Sequence, residues 1–192
     1  LAAMTVFGCL FENTASAQEA DSFHLRLLAE AYTAYLPGNP APDTRPGFYY
    51  NYVRNQTPAL NLALARMHYS RGRFRTNIGL MTGDYAFNNL AQERGIAQHI
   101  YELNAGVRIS KGDQIWVDAG VLPSHIGIES AIGADNQTAT RSIVADNSPY
   151  YETGIRVSYT PSEHWYVAML VLNGWQRITA PLLQLTSELF RM

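Results

Sequence analysis

Apolar and polar residues alternate along much of residues 23–175, which is the pattern of β-strands whose two faces meet different surroundings. The alternation is clear in four segments, residues 73–80, 101–109, 114–121 and 150–159, and softer in three more, residues 23–36, 59–70 and 164–175. In residues 59–70 the apolar positions change parity between Leu64 and Met67, which predicts a β-bulge near Ala65. The pattern therefore predicts seven strands and an all-β fold.

The predicted strands are long, at about 10–14 residues each. Strands of globular proteins are usually about 5–6 residues, whereas a tilted strand needs about 9–11 residues to cross a membrane. Strand length therefore favours a membrane barrel over a soluble sandwich, although long strands also occur in soluble closed barrels. The sequence contains no uncharged apolar run of about 18 residues, so it predicts no membrane-spanning helix.

The connections between the predicted strands alternate between short and long. The short ones, at residues 70–73, 110–113 and 160–163, carry the Gly or Pro typical of turns, and the long ones are residues 37–58, 83–98 and 123–148. Outer-membrane barrels have short periplasmic turns and longer extracellular loops. We therefore predict an antiparallel up-and-down transmembrane β-barrel with a periplasmic N-terminus and extracellular long loops.

Seven strands cannot complete such a barrel, because single-chain bacterial barrels have even strand numbers and lipid does not tolerate open sheet edges. We expect about seven to eight strands of an incomplete barrel, with closing strands beyond Trp175. Residues 18–176 are then a partial barrel, and residues 177–192, where the alternation stops, are an atypical or truncated tail.

Residues 1–17 run from an apolar stretch to Ala15-Ser16-Ala17, the pattern of a signal-peptide cleavage site. We expect them to be part of a signal peptide; a buried N-terminal strand or helix is the alternative, and acylation at Cys9 is a minor one. Cys9 is the only cysteine of the chain. The mature protein is therefore predicted to contain no disulfide, cysteine-bound metal or cysteine nucleophile.

Aromatic residues of the apolar parity fall near both ends of the predicted strands. Two such rows are typical of the girdles at the two membrane interfaces, although aromatics also favour strands in general. The predicted girdle consists of Phe23, Tyr35, Tyr69, Phe74, Tyr101, Tyr151, Tyr159, Trp165 and Trp175.

The opposite parity carries most of the charges of the strands. A charge that faces lipid costs about 2–4 kcal/mol at the bilayer midplane, so in a membrane barrel these side chains must face the lumen. They can pair across neighbouring strands, and they can also line a water-filled passage whose field selects solutes. The predicted pore-lining residues are Arg26, Glu30, Arg66, Arg73, Arg75, Glu102, Arg108, Asp118, Glu152 and Arg156. Arginines outnumber acids here, which weakly favours anionic or polar solutes.

Composition excludes several other classes of protein. Charged residues make up only 16% of the chain, against about 25% in typical domains, so the chain is not a charge-rich disordered one. The net charge is −2, or −1 without the leader that contains Glu12, and favours no nucleic acid partner. The five histidines are scattered with no metal-binding spacing, so we expect neither a metal site nor another cofactor.

Several motifs in the second half of the chain resemble those of the OmpL-like β-barrel porin family of outer-membrane proteins. They are YELNAGVR at residues 101–108, IWVDAG at 115–120, PSHIGIESAIG at 123–133, NSPYYE at 147–152 and LNGWQ at 172–176. Residues 25–83 are more weakly similar. The resemblance implies an outer-membrane barrel of porin type with no established catalytic residue and no defined ligand. Members of the family are longer, which agrees with a chain truncated at both ends.

The function expected from these observations is a non-enzymatic channel for passive diffusion of small polar solutes, surrounded by outer-membrane lipid. Residues 123–148 are unusually apolar for a solvated loop, and we expect them to fold onto the barrel mouth and set its aperture. The alternatives are a non-conducting anchor or adhesin that acts through its loops, a barrel lipid hydrolase using Ser124, His125 and Asp118, and a secreted soluble β-sandwich. The oligomeric state is not predicted.

Overall fold

The structure is a computed structural model. It describes residues 3–16, 21–38, 43–111, 114–127, 129–138, 140–162, 164–174 and 176–178, with the backbone alone for residues 3–16 and 21. These residues form one sheet of eight strands, namely β1 Ala3–Ser16, β2 Asp21–Tyr35, β3 Ala59–Arg71, β4 Phe74–Thr82, β5 Ile100–Arg108, β6 Ile115–Pro123, β7 Tyr151–Ser162 and β8 Trp165–Leu172.

Each strand pairs antiparallel with the next one along the chain. Within the described ranges no pairing joins β8 to β1, so the sheet is open and the barrel is incomplete. Strands β2–β8 correspond to the seven predicted strands. The all-β, up-and-down architecture predicted from the alternation is therefore confirmed.

Strand β1 is formed by residues that the sequence assigns to a signal peptide. It pairs with β2 without interruption, from Ala3 opposite Tyr35 to Ser16 opposite Ser22. In this chain these residues therefore form an N-terminal strand, which is the alternative to a signal peptide named above. Removal of residues 1–17 during secretion stays a prediction.

The change of parity in β3 has a different cause from the one predicted. The register between β2 and β3 shifts opposite Glu30 and Ala31, where Asn61 is skipped, and it is continuous from Leu62 to Arg71. The predicted bulge near Ala65 is therefore wrong. Leu62 and Leu64 are buried on the charged face of the sheet because the loops pack against them.

The three long connections all lie at one end of the sheet, because the strands are antiparallel and consecutive. We call this the loop end, and the opposite end the turn end. The first long loop joins β2 to β3, the second joins β4 to β5 and the third joins β6 to β7. The second contains helix α1, Asp84–Asn89, and the third contains helix α2, Ile143–Asp146.

One hydrophobic cluster packs strands and loops together at the loop end. We call it the mouth cluster; it comprises Leu28, Leu62, Leu64, Met81, Tyr85, Ala86, Leu90, Val121, Ile132 and Tyr151. Tyr85 and Leu90 come from the second loop and Ile132 from the third. The long loops therefore pack on the sheet face that bears Leu28 and Glu30, which we call the inner face.

The outer face carries apolar side chains that are exposed. They are between 36 and 71% exposed and include Leu27, Leu80, Leu103, Val107, Ile155, Val157, Val167, Met169 and Val171. An apolar band on the outside of long antiparallel strands is the surface that transmembrane barrels turn to lipid. None of the helices in the described residues is long and apolar enough to cross a membrane.

Candidate functional site

The inner face buries four carboxylates that the alternation predicts to face the lumen. Glu30, Glu102, Asp118 and Glu152 are each at most 2% exposed. A buried carboxylate without a partner costs several kcal/mol, so the contacts of these four groups determine whether the face is stable.

Asp118 on β6 binds two arginines from two different strands. Its Oδ1 and Oδ2 accept from Nε and Nη2 of Arg75 at 2.7 and 2.5 Å. Its Oδ2 also accepts from Nε and Nη2 of Arg156 at 3.3 and 3.1 Å. The Arg75 guanidinium lies 4.2 Å from the centre of the Trp116 ring. One carboxylate thus serves two cations, which leaves a local excess of positive charge.

A glycine makes the contact between Arg75 and Asp118 possible. These residues lie two strands apart, with Gly106 of β5 in register between them. A Cβ at Gly106 would lie 2.2 Å from Asp118 Oδ1, so any other residue there would displace the carboxylate. The polar face therefore needs glycine at this position to let the ion pair cross the middle strand.

Arg66 and Glu102 form a second ion pair with the same arrangement. Gly79 of β4 lies in register between them. The Arg66 guanidinium binds the Glu102 carboxylate through Nε–Oε1 and through Nη2–Oε2, the latter at 3.3 Å. A Cβ at Gly79 would meet the Glu102 Cγ at 3.1 Å.

The third long loop is attached to the inner face of β2. Arg26 donates to both oxygens of Asp135 at 2.7 and 3.1 Å. The backbone N–H of Gly133 donates to Glu30 Oε1 at 2.7 Å. The preceding residue, Ile132, belongs to the mouth cluster. The prediction that this loop folds onto the barrel mouth agrees with these contacts.

Glu30 also connects the first long loop to β3. Its Oε2 accepts from Asn61 Nδ2 at 3.2 Å and lies 3.5 Å from the Tyr52 hydroxyl. Sequence reasoning missed Asn61 because this residue sits at the register shift, where parity no longer assigns a face. Burial raises the pKa of Tyr52 above its ordinary value, so its hydroxyl remains a donor.

Asp146 of helix α2 continues the polar network between the first and third loops. Its Oδ1 accepts from Asn51 Nδ2 and from the Tyr150 hydroxyl, both at 3.1 Å. Burial raises the pKa of Tyr150 and of the neighbouring Tyr85, which keeps both phenols neutral. No local pattern of the sequence indicates these partners, because Asn51 and Asp146 are 95 residues apart in the chain.

Glu129 holds the third loop in shape near α2. The Ser142 hydroxyl donates to Glu129 Oε2 at 2.5 Å, and the Ser142 N–H donates at 3.2 Å. These hydrogen bonds lower the pKa of Glu129 below its ordinary value. Ser142 also caps α2, since its Oγ accepts from the Ala145 N–H at 3.2 Å.

The remaining predicted lining residues lie toward the two ends of the sheet. Arg73 lies in the β3–β4 turn, is exposed, and donates from Nε to the backbone oxygen of Arg108 at 3.0 Å. The Arg108 guanidinium lies 5.8 Å from the Trp116 ring centre. Glu152 Oε2 lies 2.7 Å from His125 Nδ1 at the loop end. That these residues line a water-filled passage stays a prediction.

Most of the predicted girdle residues are exposed on the strands. Those more than a third exposed are Phe23, Tyr35, Tyr69, Phe74, Tyr159 and Trp165, while Tyr101 is half-buried. Their contact with a membrane interface stays a prediction, and Trp175 lies outside the described residues.

Tyr151 departs from the predicted outward position. It is 2% exposed and belongs to the mouth cluster. Its hydroxyl lies 3.0 Å from Glu93 Oε1 and 2.8 Å from the backbone oxygen of Gln176. Strand parity fails at this first residue of β7 because the second long loop covers it.

The residues considered for a hydrolase do not assemble into a triad. Asp118 binds Arg75 and Arg156, whereas His125 contacts Glu152 instead. The Ser124 hydroxyl oxygen accepts from the N–H of Ile126 at 3.1 Å. In the described ranges, no group of three or more His, Cys, Asp or Glu side chains is placed to hold a metal ion.

An up-and-down antiparallel sheet with an exposed apolar outer face and an ion-paired inner face defines an outer-membrane type of β-barrel protein. A comparison with family models then gives the family. The chain belongs to the family described as Putative beta-barrel porin-2, OmpL-like, whose model matches residues 22–188. This match confirms the resemblance, and the family is that of outer-membrane porins. No curated protein and no solved structure matches the chain.

Proposed function

We propose that this protein is an outer-membrane channel for passive diffusion of small polar solutes. The observation that supports this function best is the pairing of charges across the inner face of a sheet whose outer face is apolar. Ion pairs such as Arg75–Asp118–Arg156 keep charged groups in place along a polar surface. Such fixed charges give a water-filled passage its selectivity.

The channel has a mild preference for anions in this proposal. Asp118 is shared by two arginines, Arg75 and Arg156, so this cluster of three side chains carries one more positive than negative charge. The short turns face the periplasm and the long loops face the exterior, as in other outer-membrane barrels. The third loop narrows the mouth, a role supported by the contact between Arg26 and Asp135 on the inner face.

The test is reconstitution of the full-length protein in planar bilayers and in liposomes. We expect stepwise ion conductance, and liposome swelling that falls as the size of a neutral solute increases. A folded, membrane-inserted protein that gives neither conductance nor swelling would contradict a channel.

A second candidate, a non-conducting anchor or adhesin, is favoured by the mouth cluster. The loops pack against the strands at the loop end, where a channel would open, through the side chains of Tyr85, Leu90 and Ile132. Deletion of residues 126–147 separates the two functions. We expect the deletion to raise an existing conductance in a channel, whereas a barrel sealed by its loops would conduct only after the deletion. Unchanged conductance would contradict a role of the third loop in the aperture.

A further inference from the structure

A cavity at the loop end is not used by the proposed channel lining. It has a volume of about 300 Å³ and lies between the first, second and third long loops. Its lining includes Tyr50, Asn89, Asp146, Tyr150, Tyr151 and Gln176. This volume is at the lower end of the range of small-molecule sites, about 300–1,000 Å³.

Two hydrogen-bond acceptors in the lining are buried without a partner in the described part of the chain. They are Asn89 Oδ1 and Gln176 Oε1. The orientation of the Asn89 amide is set by its nitrogen, which donates to the backbone oxygens of Tyr50 and Tyr85 at 3.2 and 3.0 Å. More than about 90% of buried polar groups are paired in proteins, with protein or with ordered water, so these two oxygens offer acceptor positions to solvent or to a bound molecule.

The described lining of the cavity carries no positive charge that would attract an anionic ligand. The described lining contains neither lysine nor arginine, and its one carboxylate is that of Asp146. Asp146 Oδ1 is already bonded to Asn51 and Tyr150. The guanidinium of Arg141, which is not a lining residue, lies 4.1 Å from the Tyr150 ring centre. The cavity therefore favours a neutral molecule that is rich in donors.

We propose that this cavity binds a neutral polyhydroxylated solute, namely a mono- or disaccharide. Sugar hydroxyls donate to Asn89 Oδ1 and Gln176 Oε1, and an apolar face of the sugar ring packs on the Tyr50 ring. Aromatic walls with a few well-placed polar groups are typical of small-molecule sites. The binding itself does not depend on conduction, but the further step, that the channel admits such sugars, rests on the proposed function.

Titration calorimetry on the detergent-purified full-length protein, with maltose and glucose as probes, tests the binding. We expect saturable binding of at least one of these sugars and weaker binding of gluconate and glucosamine. Two results would overturn the proposal. One is the absence of saturable binding, which is expected if water satisfies the two oxygens. The other is tighter binding of gluconate or glucosamine than of the neutral sugars.

Variants identify the cavity as the site. Tyr50→Ala removes the ring and Gln176→Leu removes an acceptor at nearly constant size, and each should weaken binding at least about fivefold, the equivalent of about 1 kcal/mol. Two control variants should bind the sugar as tightly as the wild type does. Tyr50→Phe keeps the aromatic ring in the cavity, and Phe48→Ala removes an exposed ring of the same loop that does not line the cavity. Equal affinities in all four variants would place the sugar elsewhere.

Current measurements in bilayers separate this inference from the channel function. We expect maltose to reduce the ion current of the wild type in a dose-dependent way, and to have at least about a fivefold weaker effect on Tyr50→Ala. Conductance without sugar binding would overturn only the sugar site. Sugar binding without conductance would overturn only the channel.

Discussion

At the scale of single residues, two glycines decide which charges meet on the inner face. Gly106 and Gly79 each lie in the strand between an arginine and its carboxylate. Their lack of a side chain lets Arg75 reach Asp118, and Arg66 reach Glu102, across a whole strand. The stability of the inner face therefore depends on positions that carry no charge themselves.

Gly106→Ala should destabilise the barrel by about 3 kcal/mol, because the new Cβ would lie 2.2 Å from Asp118 Oδ1 and displace a buried ion pair. Urea unfolding of the full-length protein in detergent measures this change. Gly47→Ala is the control, since a Cβ there meets nothing within 4 Å. Equal unfolding midpoints for the two variants would show that the crossing does not depend on glycine.

Asp118→Asn should make the channel more selective for anions, because Arg75 and Arg156 would lose their shared carboxylate. Leaving two half-buried cations without their carboxylate should also cost about 3 kcal/mol of stability. The reversal potential in a salt gradient measures the selectivity, and Asp43→Asn makes the same charge change on an exposed side chain of the first loop. A reversal potential equal to that of the control would argue against Asp118 acting in the passage.

At the scale of elements, several contacts between distant residues hold the third long loop on the inner face of β2. Asp135 binds Arg26, Gly133 binds Glu30 and Ile132 packs into the mouth cluster. The Arg26–Asp135 pair is partly exposed, so solvent and salt weaken it. The ion pair should therefore contribute less to the attachment of the loop than the buried contacts of Ile132 and Glu30 do.

Asp135→Ala should make thermolysin cleave the third loop about two- to fivefold faster, which corresponds to the loss of about 0.5–1 kcal/mol from an exposed ion pair. Gel electrophoresis of timed digests gives the rate. Asp43→Ala removes an exposed carboxylate of the first loop and serves as the control. The difference should shrink at high salt, and equal cleavage rates at low salt would mean that the ion pair does not hold the loop.

At the scale of the whole molecule, the two faces of the sheet are opposite in chemistry. The outer face exposes residues such as Ile155 and Val171, and the inner face buries Asp118 and Glu102. In water this arrangement would leave a large apolar surface uncovered. In a membrane, lipid would cover the apolar face, which is the arrangement we propose.

Ile155→Arg should reduce the stability of the protein in lipid vesicles by about 2–4 kcal/mol, the cost of an arginine on the lipid face near the midplane. Thr160→Arg, at an exposed position of the opposite parity near the turn end of the same strand, keeps the new charge away from the lipid midplane and should cost at most about 1 kcal/mol. Urea titration of the vesicle-inserted protein measures both. Equal stability of the two variants would mean that Ile155 does not face lipid.

The sequence by itself determined strands β2–β8, their order, and the short and long connections between them. These features follow from period-two alternation and turn residues, which are local properties that can be read without knowing what lies nearby. The alternation also assigned Asp118, Glu102 and their arginines to one face. It could not say which charges meet, because partners such as Arg75 and Asp118 are 43 residues apart in the chain.

Only the tertiary structure decided how the loop end is built. Asp135 reaches Arg26 across 109 residues, Tyr151 turns into the mouth cluster, and Asn61 lies at a register shift that the pattern placed four residues away. Loops have no periodicity to read, and their positions depend on which buried surface and which hydrogen-bond partners the strands offer. That is why the pattern along the chain predicted the wall of the barrel, whereas the mouth and its cavity emerged only from the packing of distant segments.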